Sequence, residues 1–129
     1  MDRILNFITA EFFPRIADDG IYAVRMVIAC FCGALIGLER SRRQKDAGIR
    51  THIMVALGSA LTIIVSKYGF FDVVIYDGIN LDASRIAASV TTGVSFLGAG
   101  VIFVRDVSIK GLTTAAGIWT TAAVGLAIG

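Results

Sequence analysis

Six residues whose side chains could take part in chemistry stand where long apolar runs begin or end: Glu39, Arg40, Arg50, Thr51, Asp82 and Arg85. A charge at the edge of a membrane span is energetically unfavourable, so such a residue is a functional candidate. An arginine near a helix end also reaches the polar interface without any further role, and both interpretations stay open here. Glu39 and Arg50 are expected to pair across the turn between two helices and to fix their register. Asp82 and Arg85 are three residues apart and are expected to form a local pair on one helix face.

Patterns typical of enzymes do not occur in the sequence. His52 is the single histidine, and it has no second histidine or cysteine at the spacing of metal ligands. Cys30 and Cys32 are two positions apart, which places them on different sides of a helix, and they are interpreted as small apolar side chains. The glycine-rich stretch GVSFLGAG lacks the lysine of a phosphate-binding loop. The sequence therefore predicts a protein that is not an enzyme, that binds no cofactor and that has no nucleic-acid partner.

The composition requires that much of the protein surface faces something other than water. Hydrophobic residues make up 56% of the 129 residues and charged residues only 17%, against about 25% charged residues in soluble domains. Four apolar runs approach the roughly 20 residues that cross a bilayer, at positions 21–38, 49–66, 86–104 and 112–129. A soluble bundle needs a polar outer stripe on each helix, and the last two runs offer only serine and threonine for it. The sequence thus predicts an all-α, polytopic membrane protein with about four transmembrane helices and the lipid bilayer as a partner.

The basic residues indicate how these helices are oriented. Residues 39–50 hold five of the twelve basic residues, whereas the longer connection 67–85 holds two. Short loops rich in lysine and arginine stay in the cytoplasm, so the loop 39–50 is predicted to be cytoplasmic and the N-terminus to lie outside. Residues 1–20, interrupted by Glu11 and Pro14, are expected to form a short segment at the membrane interface, with a frayed terminus as the alternative. Residues 21–129 are then the transmembrane domain, built of antiparallel helical hairpins.

Small residues recur at helical spacing within the apolar runs. Small side chains let helix backbones approach closely in lipid, and seven glycines are predicted to pack helices together: Gly33, Gly37, Gly93, Gly98, Gly100, Gly117 and Gly125. Four spans with so few polar groups also favour self-association. A homodimer is the expected state, because two-fold dimers are the commonest homo-oligomers.

Three stretches carry a resemblance to one known family: GALIGLERSRRQKDAGIRTHIMVALGSAL, DASRIAASVTTGVSFLGAGVIF and IKGLTTAAGIWTTAAVGLAIG. On these motifs the chain resembles the MgtC/SapB family of bacterial inner-membrane proteins, from about Arg25 to Gly129. The resemblance places the family's characteristic positions on all six candidates named above and on five of the packing glycines, Gly33, Gly37, Gly93, Gly98 and Gly100. The other characteristic positions are Gly48, Phe96, Leu97, Ala99, the stretch 111–116 and Trp119. The chain departs from the family at Ser89, where glutamine is usual, and at Ser95, where glycine is usual. The family typically continues into a fifth helix and often a soluble C-terminal domain, and both are expected to be absent from this chain.

The resemblance implies a role in Mg²⁺ homeostasis, in one of two forms. Members of the family are commonly described as transporters of Mg²⁺, which would be a substrate here. At least one member is thought to regulate another membrane complex, and the ATP synthase and a P-type Mg²⁺ ATPase are the partners that the resemblance implies. Mg²⁺ prefers oxygen ligands in octahedral geometry. Glu39 is the only carboxylate near the inner face of a predicted span and is therefore the best candidate metal ligand.

Overall fold

The computed structural model describes residues 13–70, 82–105 and 108–129, and these form four helices joined by short connections. The helices are α1 (Phe13–Arg42), α2 (Ile49–Tyr68), α3 (Ala83–Gly100) and α4 (Leu112–Ile128), with strands β1 (Phe103–Arg105) and β2 (Ser108–Lys110) between the last two. The strands form a two-stranded antiparallel ribbon in which Val104 pairs with Ile109. The all-α class predicted from the sequence is confirmed.

The first helix begins earlier than the sequence pattern indicates. Residues 13–20 continue without a break into the apolar part of α1, so the predicted boundary after residue 20 does not separate two segments. Pro14 is compatible with this, because it lies in the first helical turn, where its missing N–H group has no acceptor to serve. Residues 1–12 lie outside the described residues, and the predicted interfacial segment is described only in its second half.

The third helix ends before the apolar run does. The run was predicted to continue to Val104, but α3 ends at Gly100 and the chain enters β1. Gly111 closes the hairpin in a left-handed conformation with φ of 89°. A Cβ at this position would lie 1.9 Å from the carbonyl oxygen of Val101, so the return of the chain onto α4 requires glycine.

Helix α2 is the centre of the packing, since it contacts each of the other three helices. Its buried side chains include Ala56, Ala60, Ile63 and Ile64. A second apolar cluster joins the loop after α1 to α3 and α4 and consists of Ala47, Val94, Ile118 and Ala122. Both sets are dominated by small or β-branched residues, which allow the helix axes to come close.

The outer surface of the bundle is apolar, as expected for a protein in lipid. On α1 an exposed stripe opposite the buried Ala29 consists of Ile21, Val24, Val27, Ile28, Phe31, Leu35 and Leu38. Within the described ranges, the segments Gly20–Arg42 and Ile49–Tyr68 are long and apolar enough to cross a membrane, and α4 is a shorter apolar helix. Crossings by α3 and α4 remain a prediction.

Candidate functional site

A buried polar cluster joins the last turn of α1, the first turn of α2 and the middle of α4. His52 on α2 has no exposed surface, and its Nδ1 lies 2.7 Å from the hydroxyl oxygen of Thr121 on α4. Thr121 is equally buried, and its hydroxyl lies 2.8 Å from the carbonyl oxygen of Gly117. Arg40 on α1 reaches the same place, because a Cβ at Gly117 would lie 3.5 Å from its Nε and 3.5 Å from Cε1 of His52. Three helices therefore contribute one polar group each to this cluster.

Two nitrogen atoms of the cluster make no hydrogen bond within the described part of the chain. They are Nε of Arg40 and Nε2 of His52, both buried. The backbone of Ala47 interacts with the same imidazole ring, yet Nε2 itself remains unpaired by hydrogen-bond geometry. Most buried polar atoms in proteins have a hydrogen-bond partner, so these two nitrogens are unusual in the described part of the chain and could each form a further hydrogen bond.

Glu39 lies beside the cluster and pairs with arginines of its own helix. One carboxylate oxygen lies 3.6 Å from Nε of Arg40, too far for a hydrogen bond, and the other forms a close ion pair with Arg43 one turn later. The predicted pair between Glu39 and Arg50 is wrong: Arg50 is exposed at the start of α2, and Glu39 is held by Arg43, because residues four apart on a helix lie on one face. The Glu39 side chain is 49% exposed.

The remaining candidates do not join this cluster. Thr51 is exposed on α2. Asp82 caps the N-terminus of α3 by accepting hydrogen bonds from the amide (3.0 Å) and hydroxyl (2.5 Å) of Ser84. The hydrogen bond from Ser84 is the main reason that the pKa of Asp82 lies below its ordinary value, while nearby Arg85 makes a small contribution in the same direction. A helix cap therefore takes the place of the expected Asp82–Arg85 pair. This cap lies at the end of the bundle opposite to the polar cluster, since α3 runs antiparallel to α4.

Charge is concentrated at the end of the bundle that holds the cluster. Exposed basic side chains surround it: Arg42, Arg43, Lys45, Arg50 and Lys110. Glu39 and Asp46 are the described acidic residues there. The described residues contain no group of three or more His, Cys, Asp or Glu side chains that could hold a metal ion, and the role of Glu39 as a metal ligand stays a prediction.

The predicted packing glycines fall into three groups. A Cβ at Gly33, Gly37 or Gly125 would lie within 2.7 Å of the backbone of α2, so at these positions two helices touch. A Cβ at Gly98 or Gly117 would find ordinary contact distances of 3.5 Å or more. Gly93 and Gly100 face open space, with no described atom within 4 Å. The prediction that these last two pack helices within this bundle is wrong, because their side of α3 is turned outward.

The guanidinium group of Arg25 forms a contact between helices at the other end of the bundle. It donates a hydrogen bond to the carbonyl of Gly129 and so connects α1 to the end of α4. An arginine placed at a helix C-terminus also interacts favourably with the helix dipole. Cys30 and Cys32 are unpaired and partly buried.

Sequence reasoning missed His52 and Thr121 as members of a site. His52 has no second metal ligand at a recognisable spacing, and its hydrogen-bond partner is 69 residues away in the chain. No spacing pattern connects residues that distant. A signal was available in Arg40 and His52 themselves, because polar side chains within apolar helices need partners inside the protein.

Comparison with known proteins agrees with this architecture. Residues 26–129 match the MgtC family. The chain belongs to the MgtC family. It is 56% identical over 108 residues to "Putative magnesium transporter YhiD" of Escherichia coli K12, a match that covers 84% of this chain and 50% of that protein. It is 40% identical over 108 residues to "Protein MgtC" of Salmonella typhimurium, covering 84% of this chain and 43% of that protein.

The similarity extends beyond enteric bacteria. An uncharacterized protein of Synechocystis sp. is 40% identical over 106 residues, which cover 82% of this chain and 42% of that protein. This MgtC-family chain thus spans about half the length of the curated relatives it matches. No solved structure matches it. Family membership and the apolar helices together identify a membrane protein.

Proposed function

We propose that this chain works in Mg²⁺ homeostasis as a multi-pass protein of a bacterial inner membrane. The observation that carries the proposal is the 56% sequence identity, over 108 residues, to the relative named as a putative magnesium transporter. The exposed apolar stripe of α1 supports insertion in a bilayer. The preference of basic loops for the cytoplasmic side supports a cytoplasmic position of the basic end of the bundle, which includes the loop after α1.

In its first form the proposal is that the chain takes part in moving Mg²⁺, with Glu39 as the carboxylate that meets the ion. Glu39 is half-exposed at the basic end and is neutralised by Arg40 and Arg43. An incoming cation must therefore compete with two guanidinium groups. Replacement of Arg43 should make the carboxylate more available, because its contact with Glu39 is the closer of the two.

Transport is tested with purified protein in sealed liposomes that contain a Mg²⁺-sensitive dye. An inward Mg²⁺ gradient is imposed on vesicles with the wild type, with Glu39→Gln and with Arg43→Gln. We expect flux above that of empty vesicles, a loss of about tenfold or more in Glu39→Gln, since an ionised ligand is removed, and an unchanged or higher flux in Arg43→Gln. Flux equal to that of empty vesicles for every protein would refute the transport form.

A second form, regulation of another membrane complex by helix contact, is favoured by the outward side of α3. This side carries more small residues than the exposed stripe of α1: Ala88, Ser89, Thr92, Gly93, Ala99 and Gly100 are exposed there together with the large side chains of Phe96 and Leu97. The hydroxyls of Ser89 and Thr92 bond to their own helix backbone, 3.0 Å away in both cases. Such a surface suits a neighbouring helix, which could belong to another complex or to a second copy of the chain.

The contact form is tested with Gly93→Leu, which projects a large side chain from a position where an added Cβ meets nothing within 4 Å. Cross-linking in native membranes, followed by identification of the linked species, should show a specific product that Gly93→Leu abolishes. Gly58→Leu on α2 is the matched control, because Gly58 also faces open space. A cross-linked product that forms equally in the wild type, in Gly93→Leu and in Gly58→Leu would exclude this surface as the contact.

A further inference from the structure

An apolar groove, here called the α3–α4 groove, runs between the C-terminal half of α3 and the first half of α4. Its volume is about 320 Å³, and its walls include Val94, Ser95, Gly98, Ile102, Ala115 and Trp119. The hydroxyl of Ser95 donates to the carbonyl of Thr91 in its own helix, at 2.9 Å, so its hydrogen is already used. Besides this serine, the indole of Trp119 is the other polar side chain of the walls, and most of its surface is apolar. The groove therefore fits an apolar chain better than a polar ligand.

One end of the α3–α4 groove lies next to Lys110. Lys110 pairs with Phe103 in the β1–β2 ribbon, and Phe103 directly follows the groove residue Ile102. The backbone of Gly111 meets the same point, since a Cβ there would lie 3.2 Å from Cα of Ile102. Lys110 is exposed and forms no ion pair with any described residue. A free positive charge therefore belongs to the segment that closes this end of the groove.

The beginning of α4 adds positive potential at the same end. Its N-cap residue Gly111 has no side chain to accept a hydrogen bond from the first amides, and its first turn contains no acidic residue. The free amides of a helix N-terminus carry partial positive charge. The described carboxylates at this end of the bundle, Glu39 and Asp46, belong to α1 and to the loop after it, and Asp106 lies outside the described residues. The charge at this end of the groove is thus complementary to an anion.

We propose that the α3–α4 groove binds one acyl chain of an anionic phospholipid, whose headgroup phosphate meets Lys110 and the first amides of α4. An anionic lipid has both parts that the site requires, an apolar chain and a negative charge at its end. Basic sites between helices on the cytoplasmic side of membrane proteins bind such headgroups. The site rests on the multi-pass arrangement proposed above, because α3 and α4 must lie in the bilayer, but not on a role in Mg²⁺ homeostasis.

The test uses Trp119 as the reporter, because it is the only tryptophan of the chain and it lines the groove. Bromine atoms on a lipid acyl chain quench tryptophan fluorescence on contact. The purified protein is reconstituted in vesicles of phosphatidylcholine with a minor fraction of phosphatidylglycerol. In one set the phosphatidylglycerol is brominated, and in the other set an equal amount of the phosphatidylcholine is brominated instead. The two degrees of quenching give the enrichment of each lipid at Trp119 over its share of the vesicle.

We expect brominated phosphatidylglycerol to be enriched at Trp119 about fivefold or more, as for at least one basic residue that attracts an anionic lipid. Lys110→Gln should lower this enrichment by about fivefold for the same reason. Lys67→Gln is the matched control, because Lys67 is also exposed but lies near the far end of α2. It should leave the enrichment unchanged.

A second pair of variants tests the groove itself. Ser95→Leu places a large side chain in the groove and should remove the enrichment. Ser89→Leu is its control, because Ser89 is also exposed on α3 and bonds to the carbonyl of Arg85 in the same way, at 3.0 Å, but does not line the groove. Circular dichroism and size-exclusion profiles establish that each variant is folded.

A relocated tryptophan separates this site from the membrane arrangement on which it rests. In Trp119→Phe combined with Phe96→Trp, the reporter stands on the outward side of α3, where Phe96 is 81% exposed and does not line the groove. We expect both brominated lipids to quench it in proportion to their share. No quenching by either lipid at either position would overturn the multi-pass arrangement together with the site.

The remaining outcomes concern the site alone. Enrichment of phosphatidylglycerol at Trp119 that is lowered by Lys110→Gln and lost in Ser95→Leu supports it. Quenching of Trp119 in proportion to each lipid's share would overturn it, because the groove would then hold bulk lipid without selection. Quenching of the relocated reporter without quenching of Trp119 would also overturn it, because a second copy of the chain would then cover the groove. Enrichment that neither Lys110→Gln nor Ser95→Leu changes would place the lipid elsewhere.

Discussion

Thr120 and Thr121 are consecutive residues of α4 with the same local hydrogen bond but different surroundings. Each hydroxyl bonds to the carbonyl four residues earlier, at 2.9 Å for Thr120 and 2.8 Å for Thr121. Thr120 is exposed, whereas Thr121 is fully buried and also meets Nδ1 of His52. The second contact joins α4 to α2. Comparing substitutions of the two threonines therefore distinguishes the contribution of a hydroxyl bonded within its own helix from that of a hydroxyl that also bonds to another helix.

Replacement of Thr121 by valine should destabilise the protein by about 1–3 kcal/mol, because the change leaves a buried imidazole nitrogen without its partner. Thr120→Val should change stability by about 0.5 kcal/mol or less, as is usual for an exposed position. Unfolding of both variants by a denaturing detergent, monitored by circular dichroism, measures the difference. Equal destabilisation by the two changes would show that the His52–Thr121 contact contributes nothing.

The positions of the ionisable residues can be predicted from the sequence more readily than their partners. Placement of Glu39 and Arg40 at the end of a helix follows from the apolar run that precedes them. The sequence did not predict the partner of Glu39, because a pair with Arg50 requires a particular turn geometry between α1 and α2. Arg43 is four residues away on the same helix, and that contact needs no tertiary arrangement at all.

Between helices, the close approach of α1 to α2 depends on glycine. A Cβ at Gly33 would lie 2.7 Å from the carbonyl oxygen of His52 and 2.9 Å from Cα of Ile53, both backbone atoms that cannot rotate away. We expect Gly33→Ala to destabilise the protein by about 1–3 kcal/mol, as overpacking does. Gly58→Ala is the matched control on α2, where the added methyl group meets nothing within 4 Å, and it should be neutral or stabilising by up to about 1 kcal/mol. Detergent-induced unfolding compares the two, and a Gly33→Ala variant as stable as Gly58→Ala would contradict the packing.

The N-terminus of α3 gives a prediction that depends on pH. The hydrogen bond from Ser84 holds the pKa of Asp82 below its ordinary value, so the ionised cap stabilises α3 at neutral pH. This contribution is present above the pKa of the unfolded chain and is lost as pH falls through the lower pKa of the folded state, below about 4.

We therefore expect Asp82→Ala to be less stable than the wild type at pH 6 and the difference to shrink as the pH falls below about 4. Melting temperatures of both proteins across this range provide the measurement. Ser89→Ala is the control within α3, since the Ser89 hydroxyl bonds to the carbonyl of Arg85 and does not titrate. A difference between Asp82→Ala and wild type that is constant with pH would contradict the assigned cap.

Across the bundle, the two ends differ in charge, and this difference predicts the orientation in the membrane. Lys45 lies in the basic loop after α1, and Lys67 lies near the far end of α2. In a background with Cys30→Ala and Cys32→Ala, a membrane-impermeant maleimide applied to intact spheroplasts should label Lys67→Cys. It should label Lys45→Cys only after permeabilisation, because basic loops remain in the cytoplasm. Labelling of both without permeabilisation would show that α2 does not separate them across the bilayer.

Helical class, membrane character and charge asymmetry follow from the sequence, because each depends on the local composition of a run or a loop. The motifs also identified the family, since they extend over three separate parts of the chain. The sequence left undecided which faces of the helices turn inward. Gly33 and Gly93 are both glycines in apolar helices, but α2 packs against the first while the second faces outward.

The cluster of Arg40, His52 and Thr121 exists only in the folded chain. Its members come from three helices, and 69 residues separate His52 from Thr121. Their meeting depends on the parallel packing of α2 and α4 and on the absence of a side chain at Gly125, where a Cβ would lie 2.3 Å from the carbonyl oxygen of Ala56. Neither leaves a local pattern. Contacts between distant residues are set by the packing of whole helices, and that is the physical reason why this cluster cannot be predicted from the sequence alone.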